Sequence, residues 1–425
     1  MKQIVLVAPH FPPSNLTGVH RSRFLASHLK EFGWEPIVLT VRPEFYEEKL
    51  DPDLGTLLPE NLKIVRTKAF STKPFRIVGD ISIRCFLWHW MELRRWAKKK
   101  EIDFVFISLF PAYSTLLGRL IYGEFKIPYG IDYQDPWVDT RAVQRDLFSK
   151  AWFSQKFARW LEPVAVKKVS LLTGVSESYY EGVVNRNPHL AKTMKFAIPI
   201  GWDPSDNEAV SRACKKPYLF QAQKDVFNFV YAGALLPEAR EVWNVFFQSL
   251  KRLEEKSPEI FKQVKVHCIG TGSSPTDPNA YALRPLAEFC GLFGRTVFEY
   301  PARIPYLDVL RHLNAADGVL VVGSTQWHYT ASKIFQAVFS KKPILAILHE
   351  ASTAVQFLKE SHAAVPVSFR DAADLSNIHC AIVERIQEII PQAFDPSKVD
   401  YSIFDPFTAE SQAKRLAEAL DKVAG

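Results

Sequence analysis

Lys333 and Gln336 stand three positions apart in the run Ala331-Ser332-Lys333-Ile334-Phe335-Gln336-Ala337-Val338-Phe339, and residues three apart share one face of a helix. The apolar stretch Ile344-Leu345-Ala346 follows, so the run reads as a short helix leading into a buried strand. An ammonium and a carboxamide at a helix start, where unpaired backbone N–H groups and the dipole favour negative charge, suit an anionic ligand. The same residues would serve an ordinary helix start, so the rest of the chain must decide.

The loop entering that helix is Gly323-Ser324-Thr325-Gln326-Trp327-His328-Tyr329-Thr330. Ser324, Trp327, Tyr329 and Thr330 are candidates to line a sugar pocket, through hydrogen bonds to hydroxyls and stacking on apolar sugar faces. His328 is a candidate catalytic residue or a plain loop histidine; no second histidine or cysteine is spaced to make it a metal ligand. Earlier, Tyr231-Ala232-Gly233-Ala234 leads towards Arg240. A glycine after a strand with a cation nearby suits a diphosphate, and a surface arginine at a helix start reads equally well. Ile269-Gly270-Thr271-Gly272 ends another strand, as glycine-rich strand ends often do.

Two further constellations fall in the first half. Pro9-His10-Phe11-Pro12-Pro13-Ser14-Asn15-Leu16-Thr17-Gly18 runs from the first strand into a helix bearing Arg21 and Arg23. It is longer than a structural connection needs, and Gly18 with Arg21 would let a backbone and a cation approach a bound group. Ile131-Asp132-Tyr133-Gln134-Asp135-Pro136-Trp137 ends a buried strand in two carboxylates. Asp132 and Asp135 could orient or deprotonate an acceptor hydroxyl; an Asp-Pro turn with a capping carboxylate is the plainer reading.

These loops hang on elements that the hydrophobic pattern makes visible. Strand-length apolar runs near residues 4–8, 36–40, 62–66, 104–108, 128–133, 171–174 and 195–198 alternate with amphipathic stretches, as parallel sheets with crossover helices require. Turn residues around Pro199-Ile200-Gly201-Trp202-Asp203-Pro204 interrupt the pattern, which restarts near 227–232, 264–269, 297–300, 318–322 and 344–347. The expected organisation is α/β: two Rossmann-like doubly wound domains, residues 1–205 and 206–405, with a ligand cleft between them, and a final helix within 406–425 packing back on the first domain.

At 425 residues, 47% hydrophobic and 23% charged, the chain can bury more than one core. A net charge of +7 invites an anionic partner without saying which. The five cysteines, Cys85, Cys214, Cys268, Cys290 and Cys380, are far apart, which argues against a disulfide framework and for a reducing cytoplasm. Met1-Lys2-Gln3 runs straight into the first strand, so no signal peptide is expected, and no apolar run approaches the ~20 residues of a spanning helix. GxGxxG after the first strand and GxxxxGK[ST] are both missing, which disfavours a dehydrogenase or a P-loop enzyme. One stretch, from Arg84 through Trp88, Trp90 and Trp96 to Lys98, Lys99 and Lys100, combines aromatics with cations as an anionic membrane surface would demand, supported by a second such helix at 150–168. Inward-packed tryptophans with solvated lysines are the alternative.

Taken in order, Phe11-Pro12-Pro13 to Gly18, Asp132-Tyr133-Gln134-Asp135-Pro136-Trp137, Thr173-Gly174-Val175-Ser176, Ile198-Pro199-Ile200-Gly201-Trp202 and Ser332-Lys333-Ile334-Phe335-Gln336 resemble the retaining glycosyltransferases of the GT-B fold, in particular their family four. The resemblance implies a nucleotide-sugar donor (a UDP- or GDP-sugar) in the second domain and a glycan or lipid-linked acceptor in the first. It implies no obligatory metal. No nucleic-acid partner is expected, the cysteines place the chain in the cytoplasm, and the Arg84–Lys100 helix keeps a peripheral position at the inner membrane face open. By position it puts Gly18 beside diphosphate or acceptor, Arg240 and Lys333 at phosphates, Gln336 at the ribose. Members of that family commonly carry two glutamates eight apart where this chain has His328 and Gln336, and an arginine where it has Ala234. A catalytically silent binding protein on the same scaffold and a nucleotide-sugar epimerase are the alternatives these departures leave open.

Overall fold

The computed structural model describes residues 1–73, 79–138, 149–213, 215–235, 237–326 and 333–424. The chain divides into two compact units, Met1–Asp203 with Pro406–Gly425, and Pro204–Asp405. In the first unit the strands are β1 (Lys2–Val7), β2 (Trp34–Val41), β3 (Lys63–Thr67), β4 (Phe104–Ser108), β5 (Tyr129–Tyr133), β6 (Leu171–Gly174) and β7 (Met194–Ala197). Its helices are α1 (Thr17–His28), α2 (Ile81–Lys98), α3 (Leu116–Phe125), α4 (Lys150–Val166) and α5 (Glu177–Arg186). The second unit carries α6 (Pro204–Ala213), β8 (Phe227–Ala232), α7 (Arg240–Lys256), α8 (Pro258–Gln263), β9 (Val264–Ile269), α9 (Arg284–Phe289) and β10 (Val297–Tyr300). It continues with α10 (Tyr306–Ala315), β11 (Gly318–Val322), α11 (Lys333–Phe339), β12 (Ile344–His349), α12 (Thr353–Glu360), β13 (Val367–Phe369), α13 (Ala372–Leu375) and α14 (His379–Ile389). The last helix, α15 (Ala409–Val423), belongs to the first unit.

Both sheets are parallel throughout, in the orders β3-β2-β1-β4-β5-β6-β7 and β10-β9-β8-β11-β12-β13. Every residue of β4, β5 and β11 is buried, because helices cover both faces of a parallel sheet and leave the strands no wet side. All twelve strands expected from the apolar runs are present; β13, three residues with Ser368 in the middle, is the addition. Helix starts follow local chemistry: Asp80 accepts from the backbone N–H groups of Ser82 and Ile83, Ser149 from Trp152, and Thr408 from Ser411, which satisfies donors the helix itself cannot pair.

Helix α15 returns to the first sheet, where Ala413, Leu416 and Leu420 enter one core with Ile4, Leu6, Leu25 and Phe104. Its entry rests on Gly201. A Cβ there would come within 1.8 Å of the Phe407 carbonyl oxygen and 2.4 Å of Gln412 Nε2, and that same carbonyl accepts from the Trp202 N–H at 3.2 Å. Gly201→Ala is therefore expected to lift the start of α15 off the unit and to cost about 1–3 kcal/mol, the usual toll of overpacking, read as a lower urea midpoint.

Among the described residues, Cys85, Cys268, Cys290 and Cys380 are free thiols, and no helix is long and apolar enough to cross a membrane.

Candidate functional site

In the second unit the chain starts at the middle of the sheet, builds outward through β9 and β10, and returns to the other side of β8 with β11. The connections leaving the carboxyl ends of β8 and β11 thus diverge, which opens a crevice in a doubly wound sheet. After β8 comes Gly233 with φ +133°, a conformation that only glycine adopts without strain. After β11 comes Gly323-Ser324-Thr325, and the N–H and hydroxyl of Thr325 both donate to the Glu238 carbonyl at 3.2 Å, joining the two loops.

Lys333 enters this junction from α11. The helix buries Ile334, Phe335, Ala337 and Val338, and Phe335 and Phe339 pack at 6.1 and 5.8 Å on the ring of the fully buried Phe404. That leaves Lys333 and Gln336, both half-buried, on its accessible face. The Lys333 ammonium donates to the Tyr231 hydroxyl at 2.5 Å and lies 3.5 Å from the Ala234 carbonyl and 4.1 Å from the centre of the Tyr231 ring. Tyr231 is itself held edge-on against Trp243 of α7 at 4.9 Å. Burial lowers the Lys333 pKa to about 7, with no charged neighbour contributing. Among the described residues Lys333 has no carboxylate partner. A desolvated lysine with only a phenol oxygen and a carbonyl for company gains most from an arriving anion.

The neighbouring candidates fall as follows. A Cβ on Gly233 would meet Lys333 Cε at 2.4 Å and Nζ at 2.5 Å, so the room expected there for a ligand is taken by the lysine stem. Arg240 is exposed at the first position of α7. Ser324 is buried and its hydroxyl accepts from the Gln326 N–H at 3.0 Å, which shapes the loop. Trp327, His328, Tyr329 and Thr330 lie outside the described residues.

In the first unit two expectations are corrected. Arg21 and Asp132, expected at phosphate and acceptor, are spent on each other: Nε and Nη2 of Arg21 donate to the two Asp132 oxygens at 2.6 Å each, and both residues are buried. The Thr173 hydroxyl adds a bond to Asp132 Oδ1 at 2.6 Å, and Arg21 Nη1 donates to the Ile198 carbonyl. The pair stitches α1, β5, β6 and the segment after β7 together, leaving neither group for a ligand. Gly18 is likewise closed off, since a Cβ would lie 2.5 Å from Gln134 Oε1 and 2.7 Å from the Phe110 ring; the close approach it permits is to protein. Asp135, by contrast, is exposed two residues beyond β5, and partial desolvation raises its carboxyl pKa above the ordinary value.

One pair escaped sequence reasoning. His10 Nδ1 donates to Glu48 Oε1 at 2.7 Å, the Ser14 hydroxyl donates to the same oxygen, and His10 stacks on Tyr46 with centroids 5.4 Å apart. Burial opposes ionisation of Glu48, but the bonds and charge of His10 together with Ser14 outweigh it and hold the carboxyl below its usual pKa. His10 lay in the loop already singled out; Glu48 follows β2 in a stretch with no pattern. No group of three or more metal-ligating side chains is found among the described residues.

No protein-family model and no curated protein matches the chain. Solved structures share its architecture from end to end. HepE of Anabaena, in complex with UDP, matches at 15% identity with 99% of this chain and 100% of that chain covered, TM-score 0.59. A UDP-forming α,α-trehalose-phosphate synthase from Burkholderia xenovorans matches at 12% identity, 100% of both chains, TM-score 0.62. A candidate UDP-N-acetylglucosamine 2-epimerase from Listeria monocytogenes matches at 11% identity, 99% of this chain and 96% of that one, TM-score 0.53. The fold is GT-B, two Rossmann-like doubly wound domains.

Proposed function

We propose that this chain is a nucleotide-sugar-dependent glycosyltransferase that moves a sugar to a glycan or lipid-linked acceptor with retention of anomeric configuration. Lys333 carries the reading: a lysine desolvated at the crevice of the second unit, without a counter-charge among the described residues, is suited to a diphosphate. The fold agrees with it, since proteins of this architecture include one held with UDP and one that forms UDP; retention is what the family four resemblance implies. Lys333 and Arg240 supply positive charge to the departing diphosphate, which stabilises charge that develops in the transition state. Gln336, on the same helix face as Lys333, takes a ribose hydroxyl. Asp135 is the acceptor-side carboxylate, its raised pKa bringing it nearer to proton exchange with a hydroxyl. The free thiols fit a cytoplasmic setting. The second unit, Pro204–Asp405, holds the donor, and the first holds the acceptor.

Titration calorimetry with UDP, GDP and ADP tests this. One of the three is expected to bind with a Kd of about 1 μM to 1 mM, the range common for enzyme substrates; silence from all three overturns the reading. The epimerase-like neighbour keeps a second reading in view, and conversion of a UDP-sugar to its epimer without any acceptor would establish it.

A further inference from the structure

Helices α2, α3 and α4 form one layer on the first sheet. Their inner residues, among them Leu93, Leu117, Ile121, Ala158 and Val166, share a core with Val5, Ile107 and Ile131, and α3 packs between the other two. Such a layer should be polar outside, and this one is not. On α4 the outward residues Phe153, Phe157, Trp160 and Val164 follow at helical spacing, with Trp160 70% exposed. On α2 the outward residues are Ile83, Leu87 and Met91, each one turn from the last, and α3 adds Leu120. Eight of the fourteen large apolar side chains left exposed among the described residues sit on these three helices. Of the two readings the sequence leaves open for α2, inward packing describes Trp96, which is buried, and Arg84 is buried too, bonded to the Phe45 and Phe70 carbonyls and to Glu47. The aliphatic side faces out instead.

Cations predominate around this face. Among the described residues Glu92 is tied to Arg95, Glu124 to Arg94 at 2.7 Å, Glu162 to Arg186 at 2.8 Å and Glu101 to Lys99 at 3.9 Å. Lys98 and Lys100 beyond the apolar end of α2, Lys156 and Arg159 within α4, and Lys167 and Lys168 after it are exposed and have no carboxylate partner among the described residues. A second copy of the chain is a poor occupant, because a two-fold interface sets a patch against itself and would oppose lysine to lysine. An anionic bilayer answers both features at once, the apolar side chains entering the headgroup–acyl boundary and the cations meeting lipid charge.

We propose that the face formed by α2, α3 and α4 docks the chain on membranes rich in anionic lipid. The inference is independent of sugar transfer. The full chain is tested by co-sedimentation with vesicles of phosphatidylcholine, with and without phosphatidylglycerol. Retention on the anionic vesicles is expected to exceed that on the neutral ones by about tenfold and to weaken in high salt. Phe157→Ser combined with Trp160→Ser, both solvent-facing changes that should leave the melting temperature in place, is expected to remove most of it, and Lys156→Glu with Lys167→Glu to remove its preference for the anionic lipid. Equal sedimentation of the double serine variant, or no sedimentation with either vesicle, overturns the proposal. A dimer in analytical ultracentrifugation that the serine changes dissolve would overturn it too, and would assign the face to a second copy.

Discussion

Lys333→Met is expected to weaken nucleoside diphosphate binding by roughly 30- to 100-fold, about 2–3 kcal/mol for the loss of one charged partner, while leaving the melting temperature unchanged or raised. The two halves of that result come from one cause. Burial holds the ammonium at a pKa of about 7, against an ordinary lysine value of about 10.4 in the unfolded chain. Between these values the unfolded chain binds the extra proton, so the folded state gains stability as pH rises across the window and is penalised below it. Methionine keeps the stem against Gly233 and removes the penalty. An arriving diphosphate favours the charged lysine, so wild-type affinity should fall as pH rises from about 7 to 9, where the phosphates are already ionised. Lys333→Arg, charged at every accessible pH, should flatten that dependence. Calorimetry at both pH values, beside melting curves, gives the readings, and undiminished binding by the methionine variant would remove the donor site from this crevice.

Asp132→Ala should act on stability instead. Removing one member of a buried pair strands the other, at a cost of about 3–5 kcal/mol; here Arg21 would keep its charge in a site that excludes water, and Thr173 would lose its acceptor. Denaturant unfolding should show the loss in the first unit. Nucleotide binding, which we propose rests on residues of the second, should persist wherever the protein is still folded. An enzyme with normal stability and abolished transfer would instead return Asp132 to the reacting groups.

The strands were legible because strands buried on both faces are written as unbroken apolar runs, Phe104-Val105-Phe106-Ile107 being one. The approach of Gly233 and Lys333 has a related cause: both flank such runs, at the strand ends of a doubly wound sheet. Pairing across distance left no trace. Arg21 and Asp132 are 111 positions apart, and each looked locally like a helix cation and a strand-end acid, which is why both were expected to face ligand. Glu48 gave no warning at all, since its segment has neither periodicity nor turn chemistry and only the fold carries it to His10. The α2 surface was legible only as a pair of readings: aromatic residues and lysines on one helix announce amphipathicity, but which side turns inward depends on the neighbouring helices.

Because Leu416 and Leu420 complete a core begun by Ile4, Leu6 and Leu25, the first unit is assembled from the earliest and the latest parts of the chain. During synthesis its amino-terminal portion must wait, one side of its sheet covered by α1 but not yet by α15, while all of Pro204–Asp405 is made. Such waiting surfaces are prone to aggregation. The unit Pro204–Asp405 can therefore mature on the ribosome before the first unit does, and a nascent chain of this protein is a natural client for a chaperone until α15 emerges.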